Sequence, residues 1–208
     1  MRPRSTVRAY IGLGANLGDP ERSIADAVEA LGGLPGVAVR GVSRLYATAP
    51  WGRTDQPEFR NAAVAIDVRG DPRDAKTGAL ALLGSLKALE RQGGRRPRER
   101  WGPREIDLDL LVYGHHRIDV ERSPSARSAD AGIDAGKAAK RLEVPHRDLG
   151  ERLFVLAPLA DLAPRLVPPG WHETVETRRR QVAATEPPDA IRVVGEWDAG
   201  SRGWRAPR

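Results

Sequence analysis

Cysteine is absent from this chain of 208 residues, so it can build neither a disulfide frame nor a thiolate metal site. Aromatic rings are few. Two Phe and three Tyr do not furnish the broad stacking surface that single-stranded nucleic acid requires. Long apolar runs are also missing, and nothing approaches the roughly 18–20 apolar residues of a membrane span. The opening Met1-Arg2-Pro3-Arg4-Ser5 lacks the apolar centre of a secretory signal. A cytoplasmic protein without membrane contact is the expectation. Lysine is scarce as well, since arginine supplies nearly all of the basic side chains behind a net charge of +6. Charge of that sign admits nucleic acid as a partner. The arginines are scattered as well as clustered, however, in the manner of a GC-rich coding sequence, and an anionic small substrate accounts for them better.

What is present is a 40% apolar content, enough for one core. Most of its periodicity lies in residues 7–118, and little follows residue 165. One domain over 1–208 is expected, with a core over about 7–167. A first strand spans about Val7 to Leu13, and a glycine-rich turn follows over Gly12 to Gly18. Asp19-Pro20 then starts a helix, with Asp as N-cap and Pro at the first helical position. Ile24, Ala27, Val28 and Leu31 form its apolar stripe, and Gly32-Gly33 ends it. Val37 to Tyr46 alternates only partly. Phe59 to Val68 alternates cleanly, with Ala62, Val64, Ile66 and Val68 on one face. Asp71-Pro72 opens a second helix running to about Gln92. A strand over Ile106 to Leu111 completes the order β-α-β-β-α-β. That order predicts an α+β, ferredoxin-like sandwich: an antiparallel sheet with helices on one face, and extra C-terminal strand and helix elements. Residues 120–140 carry no apolar periodicity and read as a mobile insertion that either hangs free, the favoured reading, or caps the nucleotide. Order resumes at Leu142 to His146, followed by a short helix around Arg152 to Leu162. His115-His116 falls in a hairpin turn. Residues 168–208 read as a polar tail laid partly on the core, with a frayed end and three tryptophans that the sequence does not explain.

The chemistry concentrates in Arg100-Trp101-Gly102-Pro103-Arg104-Glu105-Ile106-Asp107-Leu108-Asp109-Leu110-Leu111. Ile106, Leu108 and Leu110 alternate with Asp107 and Asp109, so both carboxylates leave the same face of one strand. Like charges so placed repel unless a cation sits between them. Oxygen ligands on rigid sheet suit Mg²⁺. Upstream, Arg95, Arg96, Arg98, Arg100 and Arg104 put five guanidinium groups within ten residues, suited to the polyphosphate that Mg²⁺ accompanies. A nucleotide-dependent phosphoryl or pyrophosphoryl transferase follows. Gly12, Gly14 and Gly18 do not match a dinucleotide fingerprint, and no Walker lysine follows them. Asn61 can offer donor and acceptor to a heteroaromatic ring, with Phe59 on the same strand face to stack on it. Trp51 and Trp101 are candidate lids, and His146 is a candidate phosphate contact. Each also has an ordinary structural reading.

Taken together these residues resemble the 6-hydroxymethyl-7,8-dihydropterin pyrophosphokinase family. The resemblance runs through Tyr10 to Gly18, Ala49-Pro50-Trp51-Gly52, Asp55 to Ala62, Leu89-Glu90, Gly94-Arg95, Arg100 to Arg104, Asp107-Leu108-Asp109 and Val144-Pro145-His146. It implies ATP as co-substrate, hydroxymethyldihydropterin as acceptor, AMP as product and two Mg²⁺ ions on Asp107 and Asp109. By the same resemblance Arg95 and Arg104 are catalytic-loop arginines. Thr48, Trp51, Gly52, Phe59, Asn61, Trp101 and Phe154 meet the pterin; Glu90, Arg98, Leu110, Arg141, His146 and Arg152 meet the nucleotide. The implied partners are small molecules only, with the chain a monomer. There are departures. Pro97 stands where the family has a second loop arginine, leaving Arg96 or Arg98 to replace it. Glu143 stands where a small hydroxyl residue is common, and Arg147 where an aromatic is common. A different ATP-using transferase on the same scaffold, or an RNA-binding module, remain the alternatives. RNA binding would be strongly salt-dependent and would tolerate loss of both aspartates.

Overall fold

The computed structural model describes residues 5–50, 54–97, 102–122 and 141–207. Within them the chain forms strand β1 (Thr6–Ala15), helix α1 (Pro20–Gly33), β2 (Val37–Val42), β3 (Leu45–Thr48) and β4 (Phe59–Arg69). After a 3₁₀ turn at Pro72–Asp74 come α2 (Ala75–Gln92), β5 (Asp107–Tyr113), β6 (Ile118–Glu121) and β7 (Arg141–Val144). The chain ends in α3 (Leu153–Leu162), α4 (Val175–Ala183), β8 (Ile191–Asp198) and β9 (Gly203–Arg205). Asp19 caps α1 by accepting from Arg22 N–H at 3.0 Å, with Pro20 at the first position, as the sequence predicts.

The main sheet runs β5-β1-β4-β3-β8-β9, with β2 also on β4, and every described pairing is antiparallel. Its first four positions carry the expected ferredoxin-like order. The principal core lies between one sheet face and α1 with α2. Ile11, Val64, Ile66 and Leu108 meet Ile24, Leu31, Leu83 and Leu86 there. On the opposite face α3 and α4 pack over Leu111 and Val112. The partial alternation over Val37 to Tyr46 has a physical cause. Pairing with β4 shifts between Val39 and Gly41, and the strand breaks at Ser43-Arg44, so Val37, Val39, Val42 and Leu45 all reach the same core despite uneven spacing. Ser43 stitches the break, its hydroxyl accepting from Ala63 N–H at 2.8 Å and donating to Arg44 O at 2.7 Å.

Two expectations are corrected. Gly12 and Gly14 do not form a turn. Strand β1 continues to Ala15, and these glycines lie mid-sheet, Gly12 between Ala63 and Asp109, Gly14 between Asn61 and Asp107. Only Gly18, at φ +66°, takes the left-handed conformation of a turn. The C-terminal region is not a frayed tail up to residue 207. β8 extends the sheet beyond β3, and β9 folds back on β8. Trp197 and Trp204 pack edge to face with centroids 4.7 Å apart against the rim of the principal core. Trp204 Nε1 also donates to Ser43 O at 3.4 Å, and Arg202 pairs with Glu29 of α1 at 2.5 Å. Trp171 packs with the α3–α4 cluster. The insertion expected over 120–140 lies outside the described residues from 123 onward; residues 120 and 121 end β6.

Candidate active site

The alternation along β5 does what its sequence predicts. Ile106, Leu108 and Leu110 enter the principal core, and Asp107 and Asp109 emerge on the other face. A bulge follows, because Ile11 pairs with Leu110 while Tyr10 pairs with Val112. Leu111 is thereby turned onto the carboxylate face, where it lies over Gly12, 3.3 Å from where a Cβ would stand. Glycine at 12 and 14 keeps the sheet floor bare beside the aspartates. A Cβ at 14 would stand 3.2 Å from Asn61 Oδ1.

Over this floor lies a cavity of about 160 Å³. Gly12, Gly14, Thr48, Phe59, Asn61, Arg104, Asp107, Asp109, Leu111, Arg152 and Phe154 are among the residues lining it. Thr48 and Asn61 are both buried, and Asn61 Nδ2 donates to Thr48 Oγ1 at 2.8 Å. That bond orients the amide, leaving its carbonyl oxygen toward Gly14. Phe59 and Phe154 add ring faces. Of the expected pterin residues, Thr48, Phe59, Asn61 and Phe154 thus share one cavity. Trp51, Gly52 and Trp101 lie outside the described residues, as does Arg98.

The two arginines expected in a catalytic loop take different places. Arg104 lines the cavity with its Nη1 3.2 Å from Asp107 Oδ2. Its backbone is fastened to the end of β1: Arg104 N–H donates to Asn16 Oδ1 at 2.7 Å, and Arg104 O accepts from Asn16 N–H and Leu17 N–H. Asn16 also donates to Pro57 O at 3.0 Å, so one buried amide ties both loops beside the cavity to the sheet. Arg95 is not over the cavity. Gly93 and Gly94, the latter at φ +82°, end α2 and turn the chain back beneath β5. There Arg95 is buried and bonded to Asp107, with Glu90 Oε1 at 3.4 Å. Burial works against ionisation of Asp107, but Arg104, Arg95 and Lys87 outweigh it and hold the carboxyl well below its usual range.

The residues expected at the nucleotide lie in several different surroundings. Leu110 has its side chain in the core and leaves the cavity face to Leu111. Glu90 is 1% exposed and belongs to the frame: it accepts from Lys87 Nζ at 2.6 Å and from Leu108 N–H at 2.7 Å. Burial pushes its carboxyl up to about 7 against the pull of Lys87. Arg141 sits on the outer face of the β6–β7 hairpin, paired with Asp119 at 2.5 Å and exposed. His146 follows a cis Val144–Pro145 bond and borders a second cavity of about 470 Å³ together with Arg117, Glu143, Arg147 and Trp171. Of the described residues expected at the nucleotide, only Arg152, paired with Asp148 at 2.6 Å, lines the first cavity. Sequence reasoning missed Lys87 and Asn16. The signal for Lys87 was available, since Lys87 and Glu90 fall among Leu83 and Leu86 on the inward side of α2, where an unpaired charge is costly.

The match to known proteins agrees with this geometry. Residues 10–164 match the model of the family described as 7,8-dihydro-6-hydroxymethylpterin-pyrophosphokinase (HPPK). The chain belongs to this family. A 2-amino-4-hydroxy-6-hydroxymethyldihydropteridine pyrophosphokinase of Methylorubrum extorquens is 41% identical over 186 residues, covering 89% of this chain and 98% of that protein. One of the same description from Pseudomonas aeruginosa is 39% identical over 166 residues, covering 79% and 86%. Among solved structures, a Plasmodium falciparum HPPK-DHPS triple mutant with STZ-DHP superposes with a TM-score of 0.69 at 13% identity. It covers 99% of this chain, which spans 49% of that longer one, and at this identity the likeness concerns the HPPK fold alone. Membership makes the chain an ATP-dependent diphosphotransferase of folate biosynthesis. No helix among the described residues is long and apolar enough to cross a membrane.

Proposed function

We propose that the described cavity is the acceptor half of a pyrophosphoryl-transfer site. The Asn61 amide and the Phe59 and Phe154 rings hold 6-hydroxymethyl-7,8-dihydropterin, and Asp107 and Asp109 serve the polyphosphate of ATP. The observation that carries this reading is the shared lining: Asp107 and Asp109 face the same 160 Å³ space as the Thr48–Asn61 pair. The hydroxymethyl oxygen bonds to the β-phosphorus, and the oxygen bridging the α- and β-phosphorus leaves with AMP. The hydroxyl proton is released. Such a reaction needs no strong nucleophile in the protein; placing the alcohol and neutralising phosphate charge supply most of the rate.

The donor set fits Mg²⁺. Two carboxylates on one strand face, each partly open to the cavity, offer hard oxygen ligands and leave the remaining positions to water and phosphate. Two Mg²⁺ ions, when bound, would gather the phosphate oxygens and offset their charge. Arg104 stands where it can add to that neutralisation. Arg95 acts through Asp107, whose carboxylate it holds from beneath; to reach a phosphate itself it would first have to exchange that partner. The test is direct. Incubation with ATP, Mg²⁺ and the reduced hydroxymethylpterin should yield AMP and the pterin diphosphate in equal amounts. ADP as the sole nucleotide product would overturn the reading.

A further inference from the structure

Lys87 takes no part in the chemistry above, yet it is a fully buried cation directly behind the metal-binding strand. Its side chain is 4% exposed. The ammonium lies 2.6 Å from Glu90 Oε1, 3.0 Å from Leu108 O and 3.9 Å from one oxygen of each of Asp107 and Asp109. Glu90 in turn accepts from Leu108 N–H at 2.7 Å. Among the described residues β5 ends the sheet, so the outward N–H and C=O of Leu108 meet no neighbouring strand there. The Lys87–Glu90 pair of α2 satisfies both, in place of the missing strand. The residue so fastened is the one between the two aspartates, and both carboxylates diverge from its peptides.

We propose that Lys87 is the positioning residue of the aspartate pair: it pins Leu108 and supplies a fixed positive charge behind both carboxylates that limits how tightly they hold a divalent cation. The proposal rests on the reading of Asp107 and Asp109 as cation ligands. Two carboxylates on neighbouring same-face positions repel, and an ammonium 3.9 Å from each offsets that repulsion. The same ammonium opposes an incoming divalent ion. The aspartates alone then hold the cation weakly, and phosphate oxygens must complete the site, so cation and nucleotide bind together. The choice of lysine in an arginine-rich chain fits the geometry, because three donors radiating from one compact atom reach Glu90, Leu108 O and the carboxylate side at once.

The test uses the full chain with a non-hydrolysable α,β-methylene ATP analogue and Mn²⁺ as probe, free Mn²⁺ being read by electron paramagnetic resonance. Lys87→Gln keeps a donor for Leu108 O and removes the charge. Its Mn²⁺ dissociation constant should fall about tenfold, the scale of one unit charge acting on a divalent ion a few ångströms away in a water-like medium. A purely structural lysine would give the opposite sign, so unchanged or weakened Mn²⁺ binding in a folded variant overturns the proposal. Asp109→Asn in the same assay separates the two readings. If it leaves Mn²⁺ binding intact, the cation-ligand reading is wrong; if it abolishes binding while Lys87→Gln does not tighten it, only the role of Lys87 is wrong. Should Lys87→Gln not fold, ¹⁵N-lysine spectra of the unaltered enzyme decide. The Lys87 ammonium resonance, assigned by elimination, should shift when Mg²⁺ joins the analogue-bound enzyme, and an unmoved resonance overturns the proposal.

Discussion

Thr48, Phe59 and Asn61 come from two paired strands and meet Phe154 in one cavity, whereas Glu90, Leu110, Arg141 and His146 go to four different surroundings. The proposed acceptor side is thus built from regular sheet, with a glycine floor and an amide oriented by Thr48. The nucleotide side of the described structure consists of a frame beneath β5 and a separate two-stranded hairpin. Among the described residues, one side thus gathers its groups in a single cavity and the other does not. On the other side, the groups named by family resemblance divide into Glu90 and Leu110, which pack in or behind β5, and Arg141 and His146, which lie at the β6–β7 pair and the second cavity.

Substitutions can break or sharpen this contrast. The largest effect is expected at the shared boundary. Asp109→Asn should lower turnover by about 10²-fold or more, the scale of losing one electrostatic stabiliser, in an AMP-release assay. Asp109 faces the cavity with Lys87 3.9 Å away, and its side chain is more open than that of Asp107, so the melting temperature should hardly move. Near-normal turnover would remove β5 from the chemistry. On the acceptor side, Asn61→Leu should raise the pterin KM about tenfold and leave the ATP KM alone, as expected for one lost hydrogen-bonding group of about 1–2 kcal/mol. Equal effects on both substrates would mean that the two sides are not separate. The smallest effect is expected at Arg141. It is exposed and paired with Asp119, and exposed ion pairs contribute about 0–1 kcal/mol, so Arg141→Ala should change the ATP KM by less than about threefold. A much larger rise would show that the hairpin turns inward to hold nucleotide.

Those substitutions also mark where the sequence was legible. The strand carrying Asp107 and Asp109, the face shared by Phe59 and Asn61, and the Asp-Pro starts of α1 and the 3₁₀ turn before α2 could all be read from local patterns. A period of two, or a cap followed by proline, is a local property with one physical solution. Gly12 and Gly14 were misread because glycine marks a turn and a close approach equally well. Only the pairing with Asn61 and Asp107 shows which applies. Leu110 lies in the core as the alternation along β5 predicts; what no local pattern announces is the bulge that turns Leu111 onto the cavity face. The resemblance implies Glu90 as a nucleotide contact and Arg95 as a catalytic-loop arginine; their contacts with Lys87, Leu108 and Asp107 are brought together only by the fold. Trp197 and Trp204 were opaque for the same reason, since the rim that they cover is made by residues far away in the chain.

In the proposed reaction β5 fixes the cations at the edge of a cavity that also holds the acceptor. Anomalous diffraction from crystals grown with Mn²⁺, the α,β-methylene ATP analogue and the hydroxymethylpterin tests it most directly. Two Mn²⁺ peaks within coordination distance of the Asp107 and Asp109 carboxylates, with the pterin on Asn61 and its hydroxymethyl group turned toward the phosphates, are the expected result. An ordered nucleotide whose cations lie away from both aspartates would contradict it.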